Sequence, residues 1–324
     1  MKAHIWQSSA IVLAISLQAC SAGSAATATP GTAFIPTSNA SSIASAARAN
    51  TAYAVSLTAL PLDDANYETA GPRVGWIYSC QGSFNGGGSM VDGPWIDTAN
   101  NTWNLLEKLA VQGAVHWASS FSNTVAGTKR NLRGNGLPSH VTGTYPISST
   151  DPAFAYDRNP NTIRSQSVAD AIPSNPAIAS KPSCVGLGAI GVMLTGAQLY
   201  NALDGAGRDA PAHEVLDTCN GHPDQSGTYH YHMISKCMSD PGTGHSNLLG
   251  YAADGFGIYG VRGTNGKTLT DAALDACHGH THAIVWNGRS VVMYHYHMPY
   301  DYPYSVGCYR GTPAISQTGP PGPP

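Results

Sequence analysis

Nine of the thirteen histidines fall between His222 and His297, and four of them stand in two copies of Tyr-His-Tyr-His-Met, at 229–233 and 294–298. Residues two apart on an extended strand face the same side. His230 therefore projects with His232, and His295 with His297, while the tyrosines and Met233 and Met298 face the other way. Two imidazoles on one strand face can grip one metal ion, and a third nitrogen can come from His222 in one copy and His280 in the other. Three neutral imidazoles with an open position suit zinc, copper or non-haem iron. Clustered carboxylates, the mark of a hard-ion site, are missing from this pattern. The second copy adds His278 and His282 in His-Gly-His-Thr-His, where the first has Asn220, His222 and Asp224. The candidate ligands are thus His222, His230 and His232 for one site, and His280, His295 and His297, with His278 and His282, for the other. His116, His140 and His245 stand alone in sequence and read as structural, hydrogen-bonded histidines.

The elements that position these residues form an internal duplication. Residues 191–201 line up with 250–260, each a strand-like pair around a turn dipeptide, Thr195-Gly196 and Asp254-Gly255; Asp-Gly between such flanks is a strong hairpin signal. Short helices are expected next, over Pro211 to Thr218 and over Asp271 to Ala276 with Thr270 as N-cap. Both copies then reach Leu-Asp-x-Cys-x-Gly-His, at 216–222 and 274–280, where Gly221 and Gly279 are expected to be the left-handed residues that end a helix. Each copy runs on into its Tyr-His-Tyr-His strand and ends at a cysteine. Repeat 1 covers 186–238 and repeat 2 covers 247–311. The preceding stretch, 51–185, reads as β-rich: Val111, Gly113, Val115 and Trp117 alternate like a half-buried strand, with Trp103 to Leu106 as its partner. The expected fold is mainly β with a few short helices (α+β), built on a duplicated hairpin–helix–strand core and stabilised by disulfides.

Seven cysteines minus Cys20 leave Cys80, Cys184, Cys219, Cys237, Cys277 and Cys308. In an exported chain six thiols read as three disulfides, with fifteen pairings in principle. The repeat favours Cys219–Cys237 and Cys277–Cys308, which leaves Cys80–Cys184 and no thiolate for nucleophilic attack. Export is expected from residues 1–19, where Lys2 and His4 precede the apolar run Ile11 to Leu17, as in a signal peptide. Leu17-Gln18-Ala19-Cys20 resembles a bacterial lipobox, which makes Cys20 the lipidated N-terminus and a membrane anchor. Ser21 after it directs such a lipoprotein to the outer membrane, facing the periplasm or the cell surface. Cleavage near Ala22 or Ala26, with plain secretion, is the alternative. Residues 20–50 read as a flexible Ala/Ser/Thr-rich tether, 51–316 as the folded domain and 317–324 as a disordered Gly/Pro tail.

A net charge of −3 with 11% charged residues gives no basic surplus for a phosphate backbone, so no nucleic-acid partner is expected. His213-Glu-Val-Leu-Asp217 starts like a zincin helix but has Asp in place of the second histidine. Asp157-x-Asn-x-Asn161 lacks the glycine and closing glutamate of a calcium loop and reads as a turn. Three functions fit: an exported protein that binds copper, zinc or iron; a metal-dependent oxidoreductase or hydrolase, with Asp254, Tyr259 or Tyr294 as acid, base or donor; and a metal-free carbohydrate- or protein-binding module of the envelope.

The doubled Tyr-His-Tyr-His, with Cys219-Asn-Gly-His-Pro223, Ala253-Asp-Gly-Phe-Gly-Ile-Tyr-Gly260 and Tyr302-Pro-Tyr-Ser-Val-Gly-Cys-Tyr-Arg-Gly311, resembles the YHYH-domain family. The likeness runs from about Trp76 through Pro313 and includes Gly134-Asn-Gly-Leu-Pro138 and Gly207-Arg-Asp-Ala-Pro-Ala-His-Glu214. Gly257 stands where the family pattern has Pro. The resemblance implies a largely bacterial, exported domain of unknown function. Metal binding is inferred from the ligand pattern alone.

Overall fold

Glycine and proline, 36 and 22 of 324 residues, interrupt the chain too often for long periodic elements, and the strands are accordingly short. The computed structural model describes residues 56–315 apart from Met90. The expected signal peptide, Cys20, the tether and the tail lie outside those residues. Five two-residue strands come first: β1 (Leu60–Pro61), β2 (Tyr67–Glu68), β3 (Ile77–Tyr78), β4 (Ile96–Asp97) and β5 (Thr102–Trp103). β5 lies between β1 and β4, and β2 pairs with β3.

A second sheet holds β6 (Phe121–Ala126), β7 (Lys129–Gly134) and β8 (Val168–Pro173). The main sheet has eight strands: β9 (Gly191–Met193), β10 (Gln198–Leu199), β11 (Gly221–Pro223), β12 (Tyr229–Tyr231), β13 (Leu248–Ala252), β14 (Gly257–Tyr259), β15 (Gly279–Trp286) and β16 (Arg289–His297). Their spatial order, β11-β12-β10-β9-β13-β14-β16-β15, runs the same way outward from a central antiparallel pair, β9 and β13. In each half the second hairpin strand runs parallel to the Tyr-His-Tyr-His strand, which in turn pairs antiparallel with the Gly-His strand. Gly196 and Gly255, at φ of 94° and 93°, make the two hairpin turns that the dipeptides indicate.

One face of the main sheet carries Tyr229, Tyr231, Ile258, Tyr294 and Tyr296 into the larger apolar core. The other face places Val192, Tyr251, Tyr259 and Trp286 against Leu132, Val168 and Ile172 of the second sheet. By strand alternation the histidines share this second face. They occupy its two flanks, on either side of the covered centre. The core tyrosine hydroxyls are bonded within the protein: Tyr229 donates to Asp217, Tyr294 to Asp275 and Tyr296 to Asp254. Three disulfides, Cys80–Cys184, Cys219–Cys237 and Cys277–Cys308, close the chain on itself.

Three local expectations are corrected. The helices are single turns, Ala210–His213 (α1) and a 3-10 turn at Asp271–Ala273, because the chain extends at Glu214 and at Leu274. Asp209 caps α1, whereas Thr270 makes no side-chain cap bond. The left-handed residues are Asn220 and His278, one before each glycine. Gly221 and Gly279 begin strands, and their lack of a side chain serves close packing, since a Cβ there would lie 2.3 Å from Tyr229 and 2.3 Å from Tyr294. Finally, 111–117 is no strand. Gly113 turns the chain at a φ of 133°, leaving single bridges from Val111 to Asp217 and from Val115 to Thr142, while Thr102–Trp103 pairs with β1 and β4 instead.

Candidate metal centres

Each Tyr-His-Tyr-His strand is set by an aspartate at the turn before it. Asp217 Oδ1 accepts the backbone N–H groups of Cys219 and Gly221, and Asp275 Oδ1 those of Cys277 and Gly279. This fixes the left-handed turn and launches His222 opposite His230, and His280 opposite His295, in the ladder.

In the first cluster the Nε2 atoms of His222 and His232 lie 3.3 Å apart, and those of His230 and His232 3.1 Å apart. Glu214 Oε2 lies 3.3 Å from His222 Nε2 and 3.4 Å from His232 Nε2 and has no hydrogen-bond partner. His230 Nδ1 donates to the Thr228 carbonyl at 3.0 Å and His232 Nδ1 to the Asn201 carbonyl. A carbonyl only accepts, so both rings carry their proton on Nδ1 and turn a bare Nε2 lone pair inward. His222 Nδ1 lies 3.4 Å from Asn159 Nδ2, which donates at shorter range to the Pro223 carbonyl. The three imidazoles are 3–4% exposed and Glu214 is 7% exposed. Burial holds the imidazoles below their ordinary range, His230 at about 4 and His232 at about 3, so they are neutral near pH 7. Burial also pushes the Glu214 carboxyl well up. The three imidazoles are acceptors converging on one point, beside a carboxyl that burial disfavours as an anion. Ligands at about 2.0–2.1 Å from a tetrahedral ion stand about 3.3 Å apart, which matches the two imidazole–imidazole distances. Glu214 stands beside His222 and His232 but is not one of the three residues, His222, His230 and His232, whose ligand atoms all lie within 4.8 Å of one another.

The second cluster contains five histidines, His245, His280, His282, His295 and His297, whose candidate ligand atoms all lie within 4.8 Å of one another. His280 and His297 form one Nε2 pair at 3.1 Å, and His282 and His295 another at 3.1 Å. The Nδ1 atoms of His245, His282, His295 and His297 donate to the carbonyls of Ser246, Ala283, Met293 and Gly260. Burial, followed by repulsion from neighbouring imidazoles, lowers His245 and His280 to about 4.

The structure thus brings together His222, His230 and His232, and His280, His282, His295 and His297. It does not bring His278 to either group. Held at a φ of 70°, His278 turns its Nε2 to Asp271 Oδ1 at 2.6 Å. His245 joins the second cluster and Glu214 stands beside the first, although the sequence pattern assigned them no such place. Glu214 carried a usable signal, for the aligned position in the other repeat is Ala272. His140 is structural, bonded to the Val141 carbonyl and the Tyr231 hydroxyl, and the cysteines beside it are joined in a disulfide. His116 is exposed. Asp254 and Tyr294 lie on the core face, away from the imidazoles, while Tyr259 packs edge-on against His295.

The first cluster forms part of the wall of a cavity of about 740 Å³, shared with Tyr200, Asn159 and the glycine loop 86–88. Tyr200 stacks on His230 with ring centroids 3.9 Å apart and donates to Asp224 at 2.8 Å. Among the described residues no helix is long and apolar enough to cross a membrane.

Comparison with curated proteins and with solved structures finds no match. The family model described as YHYH protein matches residues 170–273, from β8 through the 3-10 turn before the second Leu-Asp-x-Cys motif. The first Tyr-His-Tyr-His lies inside that match and the second beyond it. Over residues 170–273 the chain carries a YHYH domain, the family its motifs resemble.

Proposed function

We propose that this YHYH-domain protein binds a transition metal, copper, zinc or iron, through its histidine clusters. The observation that carries the reading is the convergence of three buried imidazole nitrogens, those of His222, His230 and His232, all within 4.8 Å of one another, beside the Glu214 carboxyl, whose Oε2 has no hydrogen-bond partner. Buried lone pairs aimed at one another repel, and a buried polar atom left unpaired costs about 1–3 kcal/mol. A bound cation removes both penalties. Elemental analysis of the purified protein beside a His222→Ala/His232→Ala double variant tests it. The wild type retains an ion that the variant loses, with circular dichroism showing the variant folded; equal metal content in the two would end the claim for this cluster.

A metal-dependent enzyme is the second reading, favoured by the cavity of about 740 Å³ at the first cluster, a size typical of small-molecule sites. The proposal extends to export, supported by six paired cysteines and by the lipobox-like Leu17-Gln18-Ala19-Cys20. A Cys20→Ser variant should lose its lipid and leave the membrane fraction. Retention there would argue against the anchor.

A further inference from the structure

The two clusters differ in ways that set different tastes in metal. The first has three converging imidazoles, which leave a fourth position as a tetrahedral ion allows, with the Glu214 carboxyl beside two of them. Zinc, with a filled d shell, accepts that geometry without penalty, whereas copper(II) prefers square or tetragonal surroundings. The second offers five imidazoles and no carboxylate among its candidate ligands. Its fifth member, His245, comes from the segment between the repeats and has no counterpart in the first cluster, where the aligned residue is Gly186. His245 is half-buried, its Nδ1 is committed to the Ser246 carbonyl and its Nε2 has no partner. Its ring centroid lies 4.7 Å from that of His282 and 5.0 Å from that of His297. Five nitrogen donors in two close pairs plus one allow a five-coordinate centre, with four nitrogens around the ion and one to the side. Copper(II) leads the first-row divalent ions at nitrogen sites in general, so the contrast between the clusters rests on geometry. The five-nitrogen set can meet copper's tetragonal preference, and the three-imidazole set meets zinc's tetrahedral one. β12 and β16 are five strand spacings apart in the sheet, about 24 Å, so the clusters cannot share an ion.

Resting on the metal-binding reading above, we infer that His245 completes a second, all-imidazole site that takes copper(II) in preference, while the His222–His230–His232 site, with Glu214 beside it, takes a tetrahedral ion of the zinc type. The test loads metal-stripped full-length protein with one equivalent each of copper(II) and zinc(II) and follows copper by electron paramagnetic resonance and both metals by elemental analysis. Two variants separate the sites, His245→Ala and Glu214→Gln. The expected result is a nitrogen-rich copper signal that H245A alters, with copper affinity reduced about tenfold or more, and a zinc content that E214Q lowers while leaving the copper signal unchanged. A copper signal that E214Q alters and H245A does not would overturn the assignment, as would copper and zinc spread evenly over both sites. Protein that retains neither metal would defeat the metal-binding reading itself, and this inference with it.

Discussion

Glu214 reaches the first cluster because the backbone on which it sits is held from behind. Lys108 is half-buried, with its Nζ donating to the carbonyls of Pro211 and of Glu214 itself, at the C-terminal end of α1, and its ammonium lying 5.9 Å from the Trp103 ring. Burial lowers this lysine to about 8, so it is largely charged at neutral pH. Lys108→Met keeps the bulk and removes the donor from both carbonyls. We expect a loss of about 2–4 kcal/mol in unfolding free energy, since buried carbonyls left unpaired cost about 1–3 kcal/mol each. Calorimetric metal titration should show the first cluster weakened about tenfold or more and the second unchanged. At this scale the sequence displayed what alternates on a strand and hid what arrives from elsewhere. His230, His232, His295 and His297 follow from strand parity alone. His245 and Glu214 come from segments outside the motif, and only the folded chain shows that His245 joins the second group and that Glu214 stands beside the first.

The short strands depend on glycines for contact rather than for turning. Gly221→Ala would drive a methyl group against the Tyr229 ring, 2.3 Å from its nearest atom, at a place where the ring is pinned by its bond to Asp217. A destabilisation of about 1–3 kcal/mol, the usual cost of overpacking, should appear in denaturant melts. Gly71→Ala, with nothing within 4 Å of the added carbon, should change little. The hairpins were legible because Thr195-Gly196 and Asp254-Gly255 are local turn chemistry that tertiary packing leaves alone. The helices were legible only in part: Asp209 and Pro211 start α1, but the backbone becomes extended at Glu214 and ends it after one turn. The alternation from Val111 to Trp117 misled because Gly113 sits against Thr144, where a Cβ would come within 2.3 Å of its hydroxyl oxygen, and the chain bends there instead of running straight.

In the molecule as a whole, carboxylates gathered from distant segments set a dependence on pH. Asp63 is raised to about 6, chiefly by burial and then by Asp271, Asp301 and Asp64 against the pull of its bond to Asn66, and Asp209 to about 7 by burial with Asp63 and Asp64 nearby. A carboxyl whose folded pKa lies above its unfolded value supports the fold in its protonated form. That support is full below about 4 and is lost as the pH rises from there through about 6 to 7. Asp63→Asn, permanently uncharged, should therefore melt higher relative to wild type at pH 8 than at pH 5. A melting difference independent of pH would refute this. Comparing the two proteins at each pH cancels the histidines, whose burial-lowered titration acts in the opposite sense. The strand order has a further consequence. Because the sheet reads alike from its middle to either margin, with a cystine and an aspartate-locked turn in each half, damage at one margin leaves the opposite margin its own scaffolding. Mutations that cripple one centre should add to those that cripple the other without compounding them, and a lineage is free to retune or abandon either half while keeping its twin.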